Sequence, residues 1–178
     1  MDIRLVTPAD VSQISAIYRP YVEGSFISFE TEAPSEAEMA ERMRKVTARL
    51  PWLICEDAGR IQGYAYASRH HERAAYQWSV DVSVYLQRDH HRRGLGRALY
   101  TELFELLVLQ GYYTAYAGIT LPNAASVGLH ESFGFEPVGI YRNAGFKFGA
   151  WHDVGWWQKP LRPYASPIAA PTLQVRHA

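Results

Sequence analysis

Apolar and polar residues alternate with two different periods along this chain, and the switches between them outline its elements. Residues 3–6 read as a short first strand, and Ile14, Ile17, Tyr18 and Tyr21 then recur at helical spacing. Thr7-Pro8-Ala9-Asp10 precedes that face, with Thr7 as an N-cap, Pro8 at the first helical position and Asp10 at the third. Residues 25–29 look extended. Ser35 and Glu38 form a second capping pair ahead of Met39, Met43 and Val46, and Pro51 stops that helix. Strands at 52–56 and 61–67 flank Asp57-Ala58-Gly59-Arg60, which has hairpin-turn chemistry, so the two are expected to pair antiparallel. The longest predicted strand covers 76–86. Its even positions are all apolar, whereas its odd positions are Gln77, Ser79, Asp81, Ser83 and Tyr85, which predicts one core face and one polar face. A leucine stripe (Leu95, Leu99, Leu103, Leu106, Leu107) marks a strong helix ended by Gly111. A strand at 112–120 follows, then a helix from Pro122-Asn123 to Gly134, and closing strands at 135–141 and 151–158. From Pro160 the periodicity lapses. The pattern predicts one α/β domain over 1–159, a mixed sheet flanked by helices, and a loosely attached Pro/Ala-rich tail over 160–178.

Composition narrows the function classes. The chain has 178 residues, 48% of them hydrophobic, with 18 basic and 18 acidic side chains and a formal net charge of zero. That balance argues against a nucleic-acid partner or an anionic membrane surface, both of which call for a basic excess. The N-terminal residues lack the pattern of a signal peptide, and no run approaches the ~18 apolar residues of a membrane span, so a cytoplasmic protein is expected. Cys55 is the single cysteine, so no intrachain disulfide or thiolate zinc cluster can form, and it reads as a small buried residue. The histidines at 70, 71, 90 and 91 come as adjacent pairs that point apart on an extended chain, and no metal site is expected.

Two motifs carry chemistry. Arg92-Arg93-Gly94-Leu95-Gly96-Arg97 lies where the long strand meets the leucine-striped helix. Such a junction offers free amides, a positive dipole end and room for close approach, all suited to a pyrophosphate. The Walker pattern and the third glycine of the dinucleotide fingerprint are both missing. Further on comes Leu129-His130-Glu131-Ser132-Phe133-Gly134-Phe135.

Together these motifs resemble the GNAT superfamily of N-acetyltransferases. The superfamily's phosphate loop reads Gln/Arg-x-x-Gly-x-Gly/Ala, with His91 here at its first position. Its late helix ends Leu-Tyr-Glu-x-x-Gly-Phe after an asparagine, here Asn123, with His130 where the tyrosine usually stands. Ile27-Ser28-Phe29-Glu30-Thr31-Glu32, Tyr64-Ala65-Tyr66-Ala67, Ser83-Val84-Tyr85, Leu121-Pro122-Asn123 and Trp151-His152-Asp153-Val154-Gly155 look like phosphinothricin and methionine sulfoximine N-acetyltransferases. The resemblance implies direct acetyl transfer from acetyl-CoA to a small amine, with no metal, and a homodimer in which the aromatic segment 146–157 is buried. It places Asp81 at the family's glutamate base, one methylene shorter and so acting directly or through a bridging water. His130 becomes a general acid toward the sulfur or a link in the proton path. Main-chain groups of Val84, Tyr85 and Leu86 would meet the pantetheine and polarise the carbonyl. Arg92, Arg93, Gly94, Leu95, Gly96 and Arg97 would hold the pyrophosphate, with Asn123 and Ser126 reaching the pantetheine or phosphate end. Phe29, Arg73 and Tyr85, with Asp81, would form the acceptor pocket. Another small amine, a peptide N-terminus, or a coenzyme A sensor without transfer are the alternatives.

Overall fold

Local capping chemistry starts the first two helices where the sequence predicts. The Ser35 hydroxyl accepts the Glu38 amide at 3.3 Å, and the Glu38 carboxylate takes the Ser35 amide in return at 2.8 Å. At the other start, the Asp10 carboxylate accepts both the Thr7 amide (2.7 Å) and the Thr7 hydroxyl (2.9 Å). Arg4 adds two hydrogen bonds of 2.8 Å to Asp10, and these charge-assisted contacts pull the Asp10 pKa down to about 2.

The computed structural model describes residues 1–88, 94–166 and 169–172. Its elements are β1 (Asp2–Leu5), a 3-10 turn (Pro8–Asp10), α1 (Val11–Glu23), α2 (Glu36–Thr47), β2 (Trp52–Asp57), β3 (Arg60–Arg69), a second 3-10 turn (Ala74–Tyr76), β4 (Ser79–Leu86), α3 (Leu95–Gln110), β5 (Thr114–Leu121), α4 (Ala124–Ser132), β6 (Glu136–Lys147) and β7 (Ala150–Pro160). The strands form one sheet in the order β1-β2-β3-β4-β5-β7-β6. Every neighbouring pair is antiparallel except β4 and β5, which are parallel. This is the mixed α/β architecture the pattern predicts.

Both faces of the sheet are covered, which explains why β2 reads as a continuous apolar run instead of an alternation. Leu53 and Cys55 point into the larger core beneath α3, with Leu95, Leu99, Leu103 and Leu107. Trp52 and Ile54 point the other way, into a second core under α1 and α2 with Ile14, Ile17, Met39 and Met43. The β2–β3 hairpin turns through Ala58 (φ 48°) and Gly59 (φ 77°), two left-handed residues of the kind that match strand twist. Among the described residues, no helix is long and apolar enough to cross a membrane.

Three expectations need correction. Residues 25–29 form an irregular loop, because Ser25 and Ser28 hydroxyls satisfy nearby backbone groups of Tyr21, Ile27 and Glu30 that would otherwise seek a ladder. The strand expected from residue 76 begins at Ser79, since its partner β3 ends at Arg69, opposite Val80. The closing hairpin is longer than the pattern suggests, with β6 and β7 running to the turn at Phe148 and Gly149. Beyond it, the described part of the segment from Pro160 makes specific contacts. Leu161 donates to the Tyr113 carbonyl, Tyr164 meets the Thr114 hydroxyl at 3.0 Å, and Thr172 donates to the Gln110 carbonyl.

Candidate active site

The site begins where β4 and β5, the one parallel pair among the described residues, come apart. β4 and β5 share three rungs, Ser79 with Thr114, Val80 with Ala115 and Asp81 with Tyr116. Among the described residues, no rung joins the two strands past Asp81, and the β5-facing edge of residues 82–86 has no strand partner. The gap is a cleft lined by Val82, Ser83, Val84 and Tyr85 on one side and Ala117, Gly118, Ile119 and Thr120 on the other. Ile27, from the loop after α1, and Tyr100, Asn123, Ser126 and His130 complete its walls. A wider groove continues from it along Leu86, Gly94, Leu95, Gly96 and Arg97 of the α3 start and Ala124, Ala125, Gly128 and Leu129 of α4.

Asp81 stands on the last shared rung, one residue before Val82, the first β4 residue of the cleft lining. Its Oδ1 lies 2.7 Å from Nδ1 of His70, a residue that sequence reasoning weighed only as a metal ligand. Burial pushes the Asp81 carboxyl above its usual range, and the His70 hydrogen bond opposes that rise. The odd-numbered face of β4 is less polar than its composition suggests. Tyr85 packs edge-on to Tyr18 and Tyr21 at 5.0 and 5.1 Å, within the second core, while also lining the cleft.

His130 is 3% exposed and lies between two partners. Its Nδ1 is 2.7 Å from the Ser126 carbonyl oxygen, and its Nε2 is 3.0 Å from the Tyr100 hydroxyl. A carbonyl only accepts, so Nδ1 carries the proton, and Nε2 accepts from Tyr100. Burial lowers the His130 pKa, which favours this neutral tautomer. Tyr100 is fully buried and lines the cleft, and burial raises its hydroxyl pKa well above the ordinary phenol value. Tyr100 is absent from the site residues to which the sequence pointed. Its i+4 spacing from Gly96 on α3 was the available signal, since it puts both residues on one helix face.

Several predicted contacts fall on the groove. Gly94 caps α3 in the left-handed conformation (φ 79°), and a Cβ on Gly96 would come within 3.2 Å of Leu129, so the glycine lets α4 approach. Arg97 reaches across to Ser132 Oγ at 2.9 Å and stacks over Phe133. Asn123 caps α4 by accepting the Ser126 amide at 3.1 Å. The Tyr21 hydroxyl donates to the Leu86 carbonyl at 2.6 Å and accepts the Leu86 amide at 3.3 Å. The expected main-chain contribution of Leu86 therefore competes with Tyr21. Arg92 and Arg93, and with them the first phosphate-loop position His91, lie outside the described residues. Phe29 packs over Gly145 beside the cleft, and Arg73 is exposed at the start of the second 3-10 turn, away from the cleft lining. Among the described residues, no group of three or more His, Cys, Asp or Glu side chains is placed to hold a metal ion.

Comparison with known proteins agrees with this layout. An acetyltransferase (GNAT) domain model matches residues 3–156. A phosphinothricin N-acetyltransferase of Streptomyces viridochromogenes is 40% identical over 167 residues, covering 94% of this chain and 91% of that protein. An L-methionine sulfoximine/L-methionine sulfone acetyltransferase of Salmonella typhimurium is 31% identical over 170 residues, covering 95% of this chain and 99% of that protein. The crystal structure of a GNAT superfamily phosphinothricin acetyltransferase from Sinorhizobium meliloti, in complex with AcCoA, superposes with a TM-score of 0.89 at 34% identity, covering 97% of each chain. With the strand order, the parted parallel pair and the glycine-led helix start, this similarity shows that the chain belongs to the GNAT family of acetyltransferases.

Proposed function

We propose that this chain moves the acetyl group of acetyl-CoA directly to the amino group of a small amino-acid analogue of the phosphinothricin or methionine sulfoximine type. The observation that carries the reading is the parting of β4 from β5 after Asp81, which opens a cleft beside a half-buried carboxylate and leads toward a helix N-terminus. The names of the relatives support the acceptor class. The residues present fit acetyl-CoA. The unpartnered edge of β4 at Val84 and Tyr85 offers main-chain groups for the pantetheine amides. Gly94, Leu95, Gly96 and Arg97 offer amides and a guanidinium for the pyrophosphate, and Asn123 and Ser126 line the passage between. Bound there, the coenzyme supplies a thioester carbonyl and a thiolate leaving group.

The protein's own groups then manage protons. An α-ammonium has a reference pKa of ~7.7–8.0, so it must lose a proton before it can attack. Asp81 takes it, directly or through one water, and its burial makes it a better base than an exposed aspartate. At the other end of the cleft, the Tyr100 hydroxyl donates to the neutral His130, and it donates a hydrogen bond toward the sulfur only by turning away from His130 Nε2. Cys55 is fully buried in the larger core with its thiol pushed upward by burial, which supports direct attack by the amine. Replacing Tyr100 by Phe removes one hydrogen bond worth about 0.5–1.5 kcal/mol, so kcat is expected to fall roughly two- to tenfold with little change in acetyl-CoA KM.

The test of the function is release of free coenzyme A against a panel of amino-acid analogues, polyamines and peptides. Turnover on phosphinothricin or methionine sulfoximine is the expected result. Turnover confined to polyamines or peptides would reassign the acceptor, and binding of acetyl-CoA without turnover on any amine would overturn the enzyme reading.

The β6–β7 hairpin supports a homodimer. Val138, Ile140, Tyr141, Phe146, Phe148 and Trp151 are each 45–63% exposed there, an apolar and aromatic surface of the composition that protein interfaces favour. Of the segment 146–157, Phe146, Phe148 and Trp151 are available for such burial, whereas Trp157 belongs to the core. Light scattering is expected to give about 40 kDa, twice the 20.2 kDa of one chain, and Trp151→Glu is expected to shift the particle toward single-chain mass. A cytoplasmic setting is in keeping with a single, reduced and buried Cys55.

A further inference from the structure

We propose that His70 is a positioning residue for the reaction, whose ring N–H holds the Asp81 carboxylate ionised and fixed in one orientation at the rung where the cleft begins. The inference rests on the reading of Asp81 as the base. Its first support is geometric. His70 Nδ1 and Asp81 Oδ1 are 2.7 Å apart, with side-chain exposures of 13% and 26%, so the bond is only weakly reached by solvent. The imidazole is itself locked. It stacks on Tyr116 with ring centroids 4.2 Å apart and planes within 11°, with the edges of Trp156 and Tyr76 at 6.1 and 5.9 Å. Tyr116 is the rung partner of Asp81, so the strand pairing that ends at the cleft also builds the slot for the histidine.

A nitrogen bonded to a carboxylate carries a proton whether the ring is neutral or charged, so the hydrogen bond persists through the neutral pH range. The charge-assisted bond favours the ionised form of Asp81 against the burial that opposes it. The remaining titratable groups facing the pair are His71 and Tyr76 beside it, Tyr66 on β3 and Tyr116 on β5. Burial keeps Tyr66 and Tyr116 neutral. In the transfer, the acceptor ammonium gives one proton to the Asp81 carboxylate, which becomes a carboxylic acid, while His70 keeps the proton on Nδ1. The histidine restrains the carboxylate from the end of the neighbouring strand β3.

The decisive measurement is the titration of the Asp81 carboxyl carbon by NMR in the full chain, assigned by the loss of its signal in D81N. His70→Phe keeps a ring to stack on Tyr116 and removes the donor. It is expected to raise the Asp81 midpoint by about one pH unit and to move the acid limb of kcat/KM for the acceptor upward by the same amount. A rate lowered equally at all pH values, with an unmoved midpoint, would overturn the proposal. If His70→Phe does not fold, His70→Ala is read in the same way. Failure of the wild type to acetylate any amine would sink the proposed function, whereas the carboxyl titration decides the His70–Asp81 coupling independently of turnover.

Discussion

Asp81→Asn is expected to lower kcat by about 10²-fold or more, the usual contribution of a general base, with acetyl-CoA KM nearly unchanged. The substitution isolates basicity from architecture. The asparagine oxygen can still accept the His70 Nδ1 proton, so the 2.7 Å contact and the slot around His70 are preserved. What is lost is the capacity to take a proton from the acceptor ammonium. The sign of the pH dependence follows from the same group. Burial raises the Asp81 pKa, so wild-type activity falls as pH drops through that raised value, because the protonated carboxyl cannot act as a base. In D81N this acid limb should vanish, leaving a profile set by the free amine of the acceptor. Coenzyme A release across pH 5–9 measures both effects. A D81N rate within about threefold of wild type, with the acid limb retained, would remove Asp81 from the chemistry.

How much of this site the sequence foretells depends on whether each residue's partner is near it in the chain. The leucines of α3 recur every four residues, and all of Leu95, Leu99, Leu103 and Leu107 are buried, because a helix converts local spacing directly into one face. The same holds for the Ser35–Glu38 and Asn123–Ser126 caps, which close within three residues. Asp81 is legible as a candidate base through its alternating strand. His70 is not, since its bond to Asp81 crosses from the end of one strand to the middle of the next, and the register that joins them is a tertiary fact. Tyr100 is hidden for a similar reason, because its partner His130 lies on α4, 30 residues away. Residues 25–29 look extended in sequence, yet their serines bond locally to the backbone. A composition that reads as polar can also be core. The odd face of β4 meets α1, and its tyrosine joins a cluster of aromatic rings.

Lys147 is the hardest of these residues to foresee, and its replacement by Met is expected to raise the acceptor KM about tenfold. A lysine in an alternating hairpin normally points to water, but this one is 6% exposed. Its Nζ donates to the Val22 carbonyl at 2.6 Å and the Ser28 carbonyl at 2.7 Å, joining the end of α1 to the loop that follows it. The same hairpin grips that loop twice more. Phe26 stacks on His152 with centroids 4.5 Å apart, and Phe29 lies so close over Gly145 that a Cβ there would collide with its ring. Between these anchors sits Ile27, which lines the cleft and whose carbonyl accepts from the Thr120 hydroxyl at 3.3 Å. Methionine matches the length of the lysine stem but leaves two buried carbonyls without a donor. Each such loss costs about 1–3 kcal/mol unless the loop shifts to reach water. Movement of the loop is the cheaper outcome, and it displaces Ile27 and Phe29 together. Because the described contacts of Lys147 Nζ, to Val22, Ser28 and Phe148, lie outside α3 and α4, acetyl-CoA KM should stay near the wild-type value. The split between the two KM values is the measurement, and an unchanged acceptor KM in a folded K147M enzyme would show that the clamp serves stability alone.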